Sequence, residues 1–129
     1  MAKAFLTVLL FSLIGCTPSA DTGAQRRALI QGLSMGVDGL TLQQIRTFQL
    51  DLQGEWAVAF DPADPPGCVP GGLRVVAEST ASPCTAFVLN RNGNRWDVVG
   101  HGIPGQFAVP ARAPQHLGDA DRLAWLAQD

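Results

Sequence analysis

Three cysteines, two histidines and two close pairs of carboxylates are the residues of this 129-residue chain with chemistry to offer. A thiol serves as a nucleophile, a metal ligand or half of a disulfide. An imidazole titrates near neutrality and suits acid–base work. His101 stands between two glycines just after a strand-like run, and His116 stands in a Gly/Pro-rich stretch. A groove wall is one place for His101 and an exposed loop is the other; His116 reads as a loop residue. A Ser-His-Asp triad lacks its nucleophile, because the hydroxyls fall mostly in residues 17–24 and between Cys68 and Cys84. Asp61/Asp64 and Asp119/Asp121 stand beside proline or at a helix start, where turn formation and capping account for them. HExxH, EF-hand and Gly-rich phosphate-loop patterns are absent. No CxxC or closely spaced histidine accompanies the cysteines as a metal set would require. The chain therefore reads as a non-enzyme, with no catalytic residue, metal or cofactor assigned.

Cys16 stands apart from the other two thiols. Lys3 precedes the apolar run Ala4–Ile14, a cationic region followed by a hydrophobic one, which is the layout of a secretory leader. The run is too short for a spanning helix, which needs about 20 apolar residues. It is apolar on every face and offers no stripe to solvent. Leu13-Ile14-Gly15-Cys16 resembles the lipobox of bacterial lipoproteins. That resemblance implies a diacylglyceryl group on the Cys16 sulfur, cleavage between Gly15 and Cys16, and acylation of the new amine. Each buried CH₂ contributes about 0.8 kcal/mol, and two or more chains make such an anchor stable. Thr17, in place of Asp, resembles the outer-membrane-directed type in a host with two membranes. The implied organisation is a signal peptide over 1–15, a lipidated cysteine and tether over 16–24, and a single globular domain over 25–129. The implied location is the cell envelope, on the outer membrane, facing periplasm or exterior. The membrane is then the partner through Cys16, with an envelope protein as the candidate second partner.

Composition agrees with an exported body. Without Lys3 the chain keeps eight Arg against eleven Asp plus Glu, a net −3, which argues against a nucleic-acid partner. Arg26-Arg27, the one basic pair, reads as a solvated helix or linker face. Removing 1–15 leaves 114 residues, enough for one modest core. Once Cys16 is lipidated, Cys68 and Cys84 form an even remainder, and in an exported chain that favours a disulfide. Closing this loop stabilises by about 3 kcal/mol in the chain-entropy model. The segment "DPADPPGCVPGG" has little else to hold its shape.

The elements that would position these residues follow from periodicity. Leu29, Ile30 and Leu33 share a helical face over Gln25–Met35, with Asp21 or Thr22 as cap and Gly32 and Gly36 as weakening residues. Phe48, Leu50 and Leu52, then Trp56, Val58 and Phe60, alternate at period two. A three-residue loop, Gln53-Gly54-Glu55, would pair Leu52 with Trp56, Leu50 with Val58 and Phe48 with Phe60 on one face. In "TAFVLNRNGNRWDVVG" an Asn92-Gly93 type I′ turn would set Leu89 opposite Trp96 and Phe87 opposite Val98. A fifth strand is expected over Leu73–Ala77. Leu123, Trp125 and Leu126 suggest a short C-terminal helix capped by Asp119. The expected fold class is α+β: a small antiparallel sheet of about five strands built from two hairpins, with short N- and C-terminal helices. Trp56 and Trp96 face the expected core, and Trp125 lies on a segment open to core, membrane or partner.

Two further resemblances rest on named residues. "GEWAVAFDP" with "LNRNGNRWDVVGHG" is similar to a pattern in small exported bacterial domains of undefined activity, over roughly 45–102. Leu52-x-Gly54-x-Trp56, Cys68, Cys84 and Trp96 follow the order seen in the Inh-type protease inhibitor family. That second resemblance implies a small exported β-barrel with one disulfide, whose segment before the first strand enters a protease cleft. Here that segment is 36–47. The family's later strands, with their Asp-x-x-Gly turn, have no counterpart after Trp96.

Overall fold

Both faces of one antiparallel sheet are buried, and this single fact governs how the strands pair. The computed structural model describes residues 18–74 and 82–127, with the side chains of the first helix from Gly23 onward. The leader, Gly15 and Cys16 lie outside the described residues. Helix α1 spans Pro18–Gly36 and a short α2 spans Leu42–Ile45. The strands are β1 (Gln49–Gln53), β2 (Trp56–Phe60), β3 (Ala86–Asn92), β4 (Arg95–Gly102) and β5 (Ala124–Trp125). They lie in the order β4-β3-β2-β1-β5, every neighbouring pair antiparallel. The structure is thus one five-stranded antiparallel sheet with a helix against it.

α1 begins seven residues before the expected start at Gln25, so 18–24, read as a tether, are helical. The reason is Pro18: its fixed φ and missing N–H suit the first helical turn. Neither Asp21 nor Thr22 is then the cap. Leu29 and Leu33 are fully buried against one sheet face, with Leu50, Ala57, Ala59, Phe87, Leu89 and Trp96. Gly32 and Gly36 are not defects in this helix. A Cβ on Gly32 would collide with the Trp96 carbonyl oxygen, and one on Gly36 would stand 2.9 Å from Val98 Cγ2. The two glycines let α1 settle directly on β4.

The opposite face carries Val58, Phe60, Ala86 and Val88, covered by Leu73, Cys84, Ala113 and Leu117 from the connections. Both hairpin registers differ from the sequence expectation, the first by one residue, which turns Val58 and Phe60 to this second core, and the second by two, which leaves the faces unchanged. Gln53 pairs with Trp56, Leu52 with Ala57 and Leu50 with Ala59 around a two-residue turn, Gly54-Glu55. Leu50 and Leu52 therefore face α1, while Val58 and Phe60 face the connections. In the second hairpin Asn92 pairs with Arg95, Arg91 with Trp96 and Leu89 with Val98, so the turn is Gly93-Asn94. A type I′ turn on Asn92-Gly93 needs positive φ at both residues, and among the described residues no non-glycine has one. Gly54 (φ +63°) and Gly93 (φ +68°) instead each take the first central position, where a type II′ turn requires glycine. A bulge then shifts the register between Val88 and Leu89, so Val88 meets Gly100 and Phe87 meets His101.

The fifth strand of the described sheet is β5, and the strand expected over Leu73–Ala77 lies mostly outside the described residues. Leu73 and Arg74 form a bend, and 75–81 lie outside the described residues. The C-terminal helix is likewise replaced by a 3₁₀ turn, Ala120–Arg122, leading into β5. A helix that short does not persist alone, whereas pairing with β1 satisfies backbone groups on both chains. Leu126 is buried, its N–H donating to the Phe48 carbonyl at 2.9 Å, and Trp125 is half exposed. Among the tryptophans Trp96 is buried and Trp56 is partly so. Cys68 and Cys84 lie at disulfide distance, their Cα atoms 5.1 Å apart.

Candidate functional site

The residues with chemistry to offer are dispersed by this fold. His101 is exposed at the end of β4, where the bulge lays its ring on Phe87 at 4.8 Å, nearly parallel. Phe87 in turn stacks on Phe48 at 5.3 Å. His116 is also exposed, and its Nδ1 lies 3.0 Å from Asp119 Oδ2. Asp119 thus engages His116 and makes no side-chain cap on the 3₁₀ turn. Asp61 Oδ1 accepts the Ala63 N–H at 3.0 Å, and Asp64 Oδ2 accepts the Thr85 hydroxyl at 3.3 Å. This carboxylate pair shapes the turn after β2 and ties it to the residue before β3. Among the described residues no three His, Cys, Asp or Glu side chains gather as a metal would need. Every buried side-chain nitrogen or oxygen among them has a partner.

The cysteine pair anchors the same end. Val69 N–H donates to the Ser82 carbonyl at 2.8 Å, so the two arms run side by side next to Cys68 and Cys84. Segment 36–47 lies at this end too. Thr41 caps α2 through a reciprocal exchange with Gln44, and Ile45 plugs into the core. Thr41, Gln44 and Thr47 border a shallow groove of about 260 Å³ with Asp61 and Ala63. The segment is folded onto the body, not extended as an arm.

Sequence reasoning missed one constellation altogether. Asp51 has only 3 % of its side chain exposed and accepts the Gly118 N–H at 2.7 Å. Arg122 Nε lies 3.1 Å from the same carboxylate and Gln53 Nε2 lies 3.0 Å away. It clamps the C-terminal segment to β1. A charge between Leu50 and Leu52 is the signal, but strict alternation assigns it to water.

A surface depression runs between α1 and the second hairpin. It holds about 460 Å³, lined by Ala24, Gln25, Ala28, Arg91, Asn94 and Trp96. A second, of about 310 Å³, continues along β4 past Gly32, Met35 and Val98. Arg95 pairs with Asp97 at 3.3 Å on this strand. Arg91 borders the first depression, whereas Arg26 borders another, of about 410 Å³, with Asp51, Asp121 and Arg122. Comparison with protein-family models, with curated proteins and with solved structures returns no match.

Proposed function

We propose that the chain is a lipid-anchored envelope protein whose body acts by binding or as a structural component. The observation that carries the reading is Leu13-Ile14-Gly15-Cys16 directly after a cationic and then apolar leader. The fold supports it in two ways. Pairing Cys68 with Cys84 accounts for both cysteines downstream of Cys16, leaving that thiol for lipid. The described sheet and the helix against it all follow Cys16 in the chain, from Pro18 onward. On this reading the acyl chains hold the protein at the membrane; among the described residues no helix is long and apolar enough to cross one. Fractionating cells that express the full chain and its Cys16→Ser variant tests this. The parent is expected in the membrane fraction and the variant outside it. Equal distribution of the two contradicts lipid anchoring.

A further inference from the structure

We infer that the groove beside Asp61 binds a hydrogen-bond-donating cation, an alkylammonium or a guanidinium, the groups that end lysine and arginine side chains. The site gives a ligand class to the body that the reading above treats as a binding component, and it does not depend on lipid at Cys16. It starts from one oxygen. Asp61 is 7 % exposed, and its Oδ1 accepts the Ala63 N–H at 3.0 Å. Its Oδ2 accepts from no group among the described residues. That oxygen is not sealed, because every sealed side-chain nitrogen or oxygen among them has a partner. It opens to the groove of about 260 Å³ that Asp61 lines with Thr41, Gln43, Gln44, Thr47 and Ala63. A carboxylate has about four acceptor sites. Keeping one so far from water with a single N–H on it is costly, and a ligand that brings donors and positive charge offsets the cost.

The turn fixes this carboxylate. The Asp61 N–H donates to the Thr85 carbonyl at 3.0 Å, and the Asp61 carbonyl accepts the Asp64 N–H at 3.2 Å. Asp64 is engaged elsewhere, its Oδ2 accepting the Thr85 hydroxyl at 3.3 Å. On the α2 side of the groove the Thr47 hydroxyl donates to the Gln44 carbonyl at 2.7 Å. With that proton committed, Thr47 Oγ1 meets a ligand as an acceptor. Asp61 is the only charged residue among the described residues that line the groove, so an anion is repelled there and a cation attracted. Arg46, next to Thr47 in the chain, does not line it and forms no ion pair among the described residues. Pockets that enclose a whole small molecule hold roughly 300–1,000 Å³. This one is smaller and suits the end of a single side chain.

The test titrates the oxidised full chain in detergent with n-butylammonium or N-methylguanidinium and follows the amide NMR signals of Thr47 and Ala63. Tetramethylammonium, which carries the charge without an N–H, is the control at equal ionic strength. Saturable shifts are expected with both donors, at a dissociation constant on the order of 10 mM, the strength of one charge-assisted hydrogen bond. Tetramethylammonium should bind at least about tenfold more weakly. Asp61→Asn keeps an oxygen for the Ala63 N–H and should weaken butylammonium by about tenfold, while Asp64→Asn should leave it within about twofold. Comparing Nα-acetyl-lysine methylamide with spermidine separates the sources: tighter binding of the first assigns the site to a partner's side chain, and of the second to a free polyamine. No saturable shift up to about 100 mM of either donor, ten times the expected constant, overturns the site. So does tetramethylammonium acting as strongly as butylammonium, a comparison that needs no variant and stands if Asp61→Asn does not fold. Unchanged affinity in a folded Asp61→Asn overturns it as well. None of these results bears on lipid at Cys16, which mass determination reads separately.

Discussion

Replacing Asp51 by Ala separates a solvent-facing strand residue from a buried clamp. In simple alternation Asp51 points to water, and removing such a residue changes stability by less than about 0.5 kcal/mol. The observed register leaves it 3 % exposed, holding the Gly118 N–H at 2.7 Å and Arg122 Nε at 3.1 Å. Losing the carboxylate strands the buried Gly118 N–H, which costs about 1–3 kcal/mol. The Arg122 contribution is smaller. Its side chain is 43 % exposed and regains water, so the pair adds at most about 1 kcal/mol. Together the loss comes to about 2–3 kcal/mol, equivalent to a fall in Tm of roughly 10–15 °C for a domain of this size. Asp51→Asn keeps an oxygen for Gly118 and should lose only about 1 kcal/mol. Urea and thermal unfolding of the oxidised protein, followed by circular dichroism, measure both variants. An Asp51→Ala stability within about 0.5 kcal/mol of the parent refutes the burial, and the β1 register with it.

Other expectations follow from the turns, the helix seat and the covalent tie. Gly93→Ala should destabilise by about 1–2 kcal/mol because its φ is +68°, while Asn92→Ala should be nearly neutral. A loss at Asn92→Ala as large as that at Gly93→Ala, again by urea unfolding, would restore the Asn92-Gly93 turn, which holds both residues at positive φ. Gly32→Ala should lower the urea midpoint even though alanine favours helix by about 1 kcal/mol, since the new methyl meets the Trp96 carbonyl. A raised midpoint contradicts the contact between α1 and β4. Replacing Cys68 and Cys84 by Ser should reduce stability by about 3 kcal/mol through loop closure, and calorimetry showing a change below about 1 kcal/mol contradicts the tie.

Much of the architecture is legible before any coordinates. The two hairpins, the amphipathic stretch around Leu29 and Leu33, and the cysteine pair all follow from period, turn glycines and parity. Registers are harder, because period two says which residues share a face and not which face is covered. Here loops such as 113–117 build a second core against Val58 and Phe60, so one apolar set in the first hairpin faces each way. Leu123–Leu126 illustrate a related limit. Their pattern fits a helix turn or a strand end equally, and the open edge of β1 decides it. Asp51 is invisible to such reading for the same reason: its partners, Gly118 and Arg122, are far away in the chain.

Lipid on Cys16 is the claim on which the placement at a membrane depends. Mass spectrometry of the N-terminal peptide, cut from protein purified out of its native envelope, reads it directly. The predicted result is a peptide beginning at Cys16, heavier by a diacylglyceryl group and an amide-linked acyl chain. A peptide that retains residues 1–15, or one whose Cys16 thiol is unmodified, contradicts it.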